Sequence, residues 1–181
     1  SGRYHTTPLG DTYVVEDRYL PEYRQGRMCL QITAPLEEIA NWTGERSVSM
    51  LPQHSFAFID TETTGLSGGT GTYAFLIGVG RFKGEEFHLA QFFMRDPLEE
   101  PAQLAAVEEF IAPCDALVTF NGKAFDIPLL NTRYITHGWQ PPPFRNAPHV
   151  DLLHLARRLW RNRLASRTLG NLEYQILGAA R

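Results

Sequence analysis

One stretch limits what this chain can fold into: Phe56-Ala57-Phe58-Ile59-Asp60-Thr61-Glu62-Thr63-Thr64-Gly65-Leu66. Its first half is a short apolar run, aromatic and branched, that ends at an acid. The pattern predicts a strand buried on both faces, too short for a helix of its own. Side chains alternate along a strand, so Asp60 and Glu62 project to one side and Thr61 to the other. Two neighbouring carboxylates repel, and one raises its pKa unless a cation lies between them. A hard divalent ion, Mg²⁺ or Mn²⁺, prefers such oxygen ligands. A lone Asp-x-Glu also fits a turn cap beside a solvated glutamate. The pair therefore needs a second acidic partner to mean more.

That partner lies in Phe120-Asn121-Gly122-Lys123-Ala124-Phe125-Asp126-Ile127-Pro128. Ala116–Phe120 reads as a second short buried strand, Asn-Gly as a turn, and Asp126 as the opening of a helix. Read alone, Asp126 is a helix cap ahead of Ile127 and Pro128. If the two short strands are neighbours, Asp126 comes near Asp60 and Glu62. Both motifs then sit just past strand ends, where open α/β sheets place their chemistry.

Between and around them the pattern predicts strands at Tyr73–Phe82 and Phe87–Met94, antiparallel to the first. Helices are predicted from Asp96 to about Ala112, over Asp126–Thr136, over Leu152–Arg161 and over Thr168–Leu177. The order is a mixed α/β sheet with helices on its faces. Residues 1–50 read as an N-terminal extension packed on a domain of residues 51–181. Within that extension, Thr12–Val15 suggests a short strand. Gly69-Thr70-Gly71-Thr72-Tyr73-Ala74 matches a dinucleotide-binding pattern, but strand-like rather than helical sequence follows it, which argues against that use.

At 181 residues the chain is long enough for one real core. No apolar run is long enough to span a membrane. Cys29 and Cys114 stand far apart without Cys-x-x-Cys pairing, which points away from zinc and toward a reducing, cytoplasmic setting. The net charge of −3 hides an asymmetry: residues 145–181 hold seven arginines against two acids, +5, leaving −8 elsewhere. A basic segment beside an acidic site suits an enzyme acting on a polyanion. It suits a solvated helix face equally well, and charge alone does not choose.

Taken together, these motifs resemble a family. Asp60-Thr61-Glu62-Thr63-Thr64-Gly65-Leu66 is similar to the first motif of the DEDD-type 3′–5′ exonucleases of the ribonuclease H-like superfamily. Asn121-Gly122-x-x-Phe125-Asp126-x-Pro128 is similar to their second motif, in the form found in family-B DNA polymerase proofreading domains. Of these, the YprB-type ribonuclease H-like domains match best, and the resemblance continues through Val150–Leu155 and Thr168–Glu173. It implies two-metal hydrolysis of phosphodiesters with Mg²⁺ or Mn²⁺, at a single-stranded end of DNA or RNA. Asp60, Glu62 and Asp126 correspond to three of four metal-holding carboxylates. Thr63, Gly65, Leu66, Asn121 and Phe125 would border the terminal nucleotide. The fourth carboxylate has no match. Asp151, the one later aspartate, lacks the family's preceding His or Tyr and reads as a helix cap. The chain opens Ser1-Gly2 and reads as stopping before the family's last motif. Arg157 and Arg158 are candidates for the substrate path. Two other functions fit the same residues: a nucleic-acid-binding or scaffolding module without turnover, and an endonuclease.

Overall fold

The computed structural model describes residues 2–33, 35–65, 71–140 and 142–179. The Asp60 strand, β5 (Phe56–Thr63), lies well inside a seven-stranded sheet of order β1-β2-β7-β6-β5-β8-β9. On one side it pairs antiparallel with β6 (Ala74–Lys83), which pairs antiparallel with β7 (Glu86–Phe93). On the other side it pairs parallel with β8 (Ala116–Thr119), which pairs parallel with β9 (His149–Asp151). This is the mixed sheet the sequence predicts, extended at both edges.

The first extension is a hairpin. β1 (Gly2–Thr7) and β2 (Gly10–Tyr19) pair with each other, and β2 pairs with β7. The stretch read as an extension thus supplies two strands to the sheet rather than only a layer against it. β1 is an edge strand and almost wholly exposed, so it shows little of the apolar alternation that reveals a buried strand. The second extension, β9, has three residues, too few for any periodicity. A separate two-stranded ribbon joins β3 (Arg24–Gln25) to β4 (Met28–Cys29).

Alternation in β5 divides the molecule. Ala57 and Ile59 point to one face, where Ile77, Val79, Ala90 and Phe92 of the neighbouring strands join them in the main core. Helices α2 (Glu100–Ile111) and α3 (Asp126–Thr136) cover this face with Leu104, Val107, Ile127 and Leu130. Phe56 points the other way, into a smaller core with Ala116, Val118, Val150, and Ala40 of α1 (Leu36–Thr43). The end of that second face nearest Asp60 forms an open groove.

The helix starting at Asp96 begins with a single 3₁₀ turn, Pro97–Glu99, whose Leu98 N–H is capped by Asp96 at 2.9 Å. α4 runs Leu152–Leu159, two residues shorter than expected. The last helix starts as α5 (Leu169–Leu172) and widens into a π-turn over Glu173–Leu177. Both cysteines are free thiols. Among the described residues no helix is long and apolar enough to cross a membrane.

Candidate active site

Asp60 and Glu62 stand on the groove side of β5 and Thr61 on the opposite side. Across the ladder from Asp60 is Gly78, and beyond Gly78 is Gln91. Gly78 has no side chain, so the space beside Asp60 stays open. The groove measures about 350 Å³ and is bordered by Phe58, Asp60, Gln91, Phe120 and Leu169. Aromatic rings line its base. Phe58, Phe82 and Phe87 meet edge to face, with centroids 5.1–6.1 Å apart. Phe87 lies over Gly80, where a β-carbon would come within 2.3 Å of the ring. Any side chain there would push the ring aside.

Asp126 reaches this strand end from α3. The preceding residue, Phe125, holds the cap position and makes no side-chain capping bond. Asp126 is the first helical residue and so is not the cap that its position in the sequence suggested. Its buried carboxylate accepts a hydrogen bond from the Thr61 hydroxyl to Oδ1, 2.5 Å long. A negative charge in the first turn also suits the helix dipole. Thr61 is the residue that sequence reasoning passed over. Alternation turns it away from Asp60 and Glu62, and that same turn lets it orient the third carboxylate.

The carboxyl of Asp60 is raised above the usual aspartate range. Desolvation at the strand end contributes most, followed by the charges of Asp126 and Glu62, while the Thr61 N–H opposes them. Among the described residues none of these three acids forms an ion pair. A raised folded pKa means that ionising Asp60 costs stability as pH climbs past its unfolded value. In EDTA, Asp60→Asn should therefore melt above the wild type at neutral pH, with the gap closing in acid. Thermal melts at several pH values check this, and a variant that melts lower at neutral pH contradicts it.

The donor set is all oxygen, which suits a hard divalent ion. Among the described residues, however, no three His, Cys, Asp or Glu side chains stand close enough together to hold a metal ion. Thr61 takes only Oδ1 of Asp126. A cation between Asp60 and its neighbours would relieve the repulsion that raises Asp60.

A ribonuclease H superfamily model matches residues 57–181, from the Asp60 strand to the end of the chain. The chain belongs to the ribonuclease H superfamily. It is also 38% identical, over 131 residues, to uncharacterized protein YprB of Bacillus subtilis (strain 168). The match covers 71% of this chain and 31% of that relative, so the chain spans about a third of the relative's length. Ribonuclease H-like domains act on nucleic acids and generally use divalent metal ions.

The remaining candidate residues of this ribonuclease H-like domain fall into distinct places. Thr63 bonds the Gly65 carbonyl at 3.0 Å at the end of β5. Leu66 lies outside the described residues, as do Gly69 and Thr70 of the glycine-rich pattern. Asn121 and Phe125 ride on the β8–α3 turn, where Phe125 is 61% exposed. Asn121 has φ 69°, unusual for a residue with a β-carbon. Gly122 is packed so tightly that a β-carbon would lie 2.6 Å from the Thr119 side chain.

Asp151 holds this turn in place. Its Oδ1 accepts from the Asn121 and Leu153 N–H groups at 2.8 and 3.0 Å, and its Oδ2 from the Lys123 N–H at 3.0 Å. It caps α4 as the sequence suggested, and it also clamps the loop that carries Asn121, Phe125 and Asp126. Arg157 borders a cavity beside Asn121. Arg158 does not: its guanidinium donates to the Trp42 carbonyl at 2.8 Å and ties α4 to α1. Trp160 lines an apolar groove with Leu155 and Leu172.

A further anchor lies behind the β5–β6 connection. Thr64 and Tyr73 exchange two hydrogen bonds, 3.0 and 3.1 Å long. The Tyr73 ring stacks on the Arg133 guanidinium at 4.3 Å, and Arg133 forms a buried two-point pair with Glu100, 2.7 and 2.5 Å. His137 bonds the same Glu100 at 2.6 Å. Nothing in the spacing of these residues announces the network.

Proposed function

We propose that this chain hydrolyses nucleic-acid phosphodiester bonds with Mg²⁺ or Mn²⁺, removing nucleotides from a 3′ end. The observation that supports it best is Asp60. Its carboxyl lies beside an open groove and is raised by desolvation and by two further carboxylates, and among the described residues no side-chain cation pairs with any of the three. Perturbed acids in a cleft mark functional sites. Asp60, Glu62 and Asp126 would hold the ions, which when bound supply an activated water and neutralise charge on the reacting phosphate. Exposed Phe125 offers an aromatic face to a terminal base, the kind of platform on which unpaired bases stack. Thr63 and Gly65, at the end of β5, and Asn121, after β8, would border the terminal nucleotide. The parallel β5–β8 pair supplies the crevice in which open sheets bind ligands.

The test is a single strand labelled at either end, incubated with Mn²⁺ or Mg²⁺. Release of mononucleotides from the 3′ end supports the reading. Cleavage of a circular single strand replaces it with an endonuclease. The second reading, a binding module without turnover, draws on the three acids' failure to converge. Binding with no cleavage under any of these conditions would establish it. Calorimetry adds an independent check: Mn²⁺ uptake should fall as pH drops, because protons compete for the carboxylates. Equal uptake by wild type and Asp60→Ala would refute the metal site.

A further inference from the structure

A second cavity, of about 440 Å³, opens beside the acidic groove. Phe120 and Leu169 line both, so the two adjoin. The first holds one carboxylate, Asp60, among mostly apolar residues. The second is bordered by Asn121, Arg157, Ser166, Arg167 and Thr168, and among the described residues no carboxylate lines it. Among the described residues neither arginine lies within ion-pair distance of an acid. Two arginines, two hydroxyl residues and an asparagine therefore border one space without a counter-charge among the described residues.

The wall of this cavity is fixed rather than loose. One Nη of Arg167 donates to the Leu164 carbonyl at 2.8 Å. Asn171 holds the Ser166 carbonyl at 2.7 Å, and the Ser166 and Thr168 hydroxyls are 3.3 Å apart. The same Nη reaches the Arg161 carbonyl at 3.4 Å, so the turn is braced from both ends, and among the described residues the other Arg167 nitrogens make no hydrogen bond. A pre-ordered guanidinium loses less freedom on binding a tetrahedral anion than a mobile one does. Opposite it, Asn121 is held in its left-handed backbone by Asp151, which bonds its N–H.

We infer that this cavity is a subsite for a backbone phosphate of the nucleic-acid strand whose end lies at Asp60. Arg157 and Arg167 neutralise the phosphate, and Ser166 and Thr168 donate to its oxygens. The strand's course from Asp60 across Phe120 and Leu169 rests on the nuclease reading; the phosphate chemistry of the cavity does not. Contacts to phosphate carry no base information, so the subsite serves any sequence.

The experiment is fluorescence anisotropy of a short labelled oligothymidylate, in EDTA to prevent turnover, over a range of NaCl concentrations. Each lost phosphate contact to a single strand should lower the salt slope by about 0.7. Arg157→Gln should do this and weaken binding about 5- to 10-fold at moderate salt. Arg157→Gln/Arg167→Gln should lower the slope by about 1.4. Arg163→Gln, exposed and outside the cavity, should change neither. Arg157 stands exposed on α4, so its single variant decides the matter even if the double variant unfolds in a thermal melt. An unchanged slope in Arg157→Gln overturns the subsite, as does an equal fall in Arg163→Gln, which would mean a diffuse field. The two readings fail separately. Cleavage with no dependence of binding on Arg157 removes the subsite and keeps the nuclease. An Arg157-dependent slope without cleavage keeps the subsite and removes the nuclease.

Discussion

Asp60→Asn should lower hydrolysis of a labelled single strand by at least about 100-fold, while binding of the same strand holds or tightens. The variant keeps size and shape and removes one charge. Asp60 stands at the end of β5, borders the groove and feels the charges of both other acids, so it is the residue whose change should disturb the site most. With the amide there, one of the three acids no longer carries a charge to offer an ion. Binding moves the other way because one negative charge no longer repels phosphate. The same change should stabilise the metal-free chain, since Asp60 ionises there at a cost. Loss of activity together with gain of stability is the pattern of a functional residue. A scaffold residue loses both. Turnover near the wild-type rate would remove Asp60 from the chemistry. The measurement is product release under saturating Mn²⁺, read beside anisotropy and a melt.

The sequence carried the centre of the fold better than its edges. β5, β6, β7 and β8 were legible because burial gave them continuous or alternating apolar runs, and α3 was legible to its last residue. β1 was hidden because an exposed edge strand needs no apolar period, and β9 because three residues hold none. The positions of Asp60 and Glu62 follow from strand alternation alone. The environment of Asp126 does not. Its nearest partner, Thr61, is 65 residues away in sequence, and only the parallel pairing of β5 with β8 brings them together. The arginines divide for a similar reason. Arg157 and Arg158 are adjacent and chemically alike, yet their helix turns one toward the cavity and the other toward Trp42.

Asp151→Ala should destabilise the chain by about 3–5 kcal/mol, roughly a fifth or more of an ordinary domain's stability. The residue is 1% exposed and its carboxylate accepts three backbone N–H bonds. Alanine leaves the Asn121, Lys123 and Leu153 N–H groups without their acceptor, in a place that water reaches poorly. Burial alone would raise the carboxyl's pKa. The bonds from Lys123, Asn121 and Leu153 outweigh it and hold the value below the usual aspartate range. A depressed folded pKa sets the sign of the pH effect. The stabilisation is fully present above the unfolded aspartate value, about 3.9, and is lost as pH falls through the folded value. The gap between wild type and Asp151→Ala should therefore be wide at neutral pH and narrow in acid. Urea unfolding at several pH values measures it, with a shifted midpoint and an unchanged slope marking a true stability change. Activity should fall as well, because Asn121, Phe125 and Asp126 ride on the turn that Asp151 clamps, and a displacement of about 1 Å can cost 100-fold. If Asp151 instead held metal, the variant would lose Mn²⁺ uptake while the metal-free chain kept its stability. That outcome would overturn its reading as the clamp of the turn.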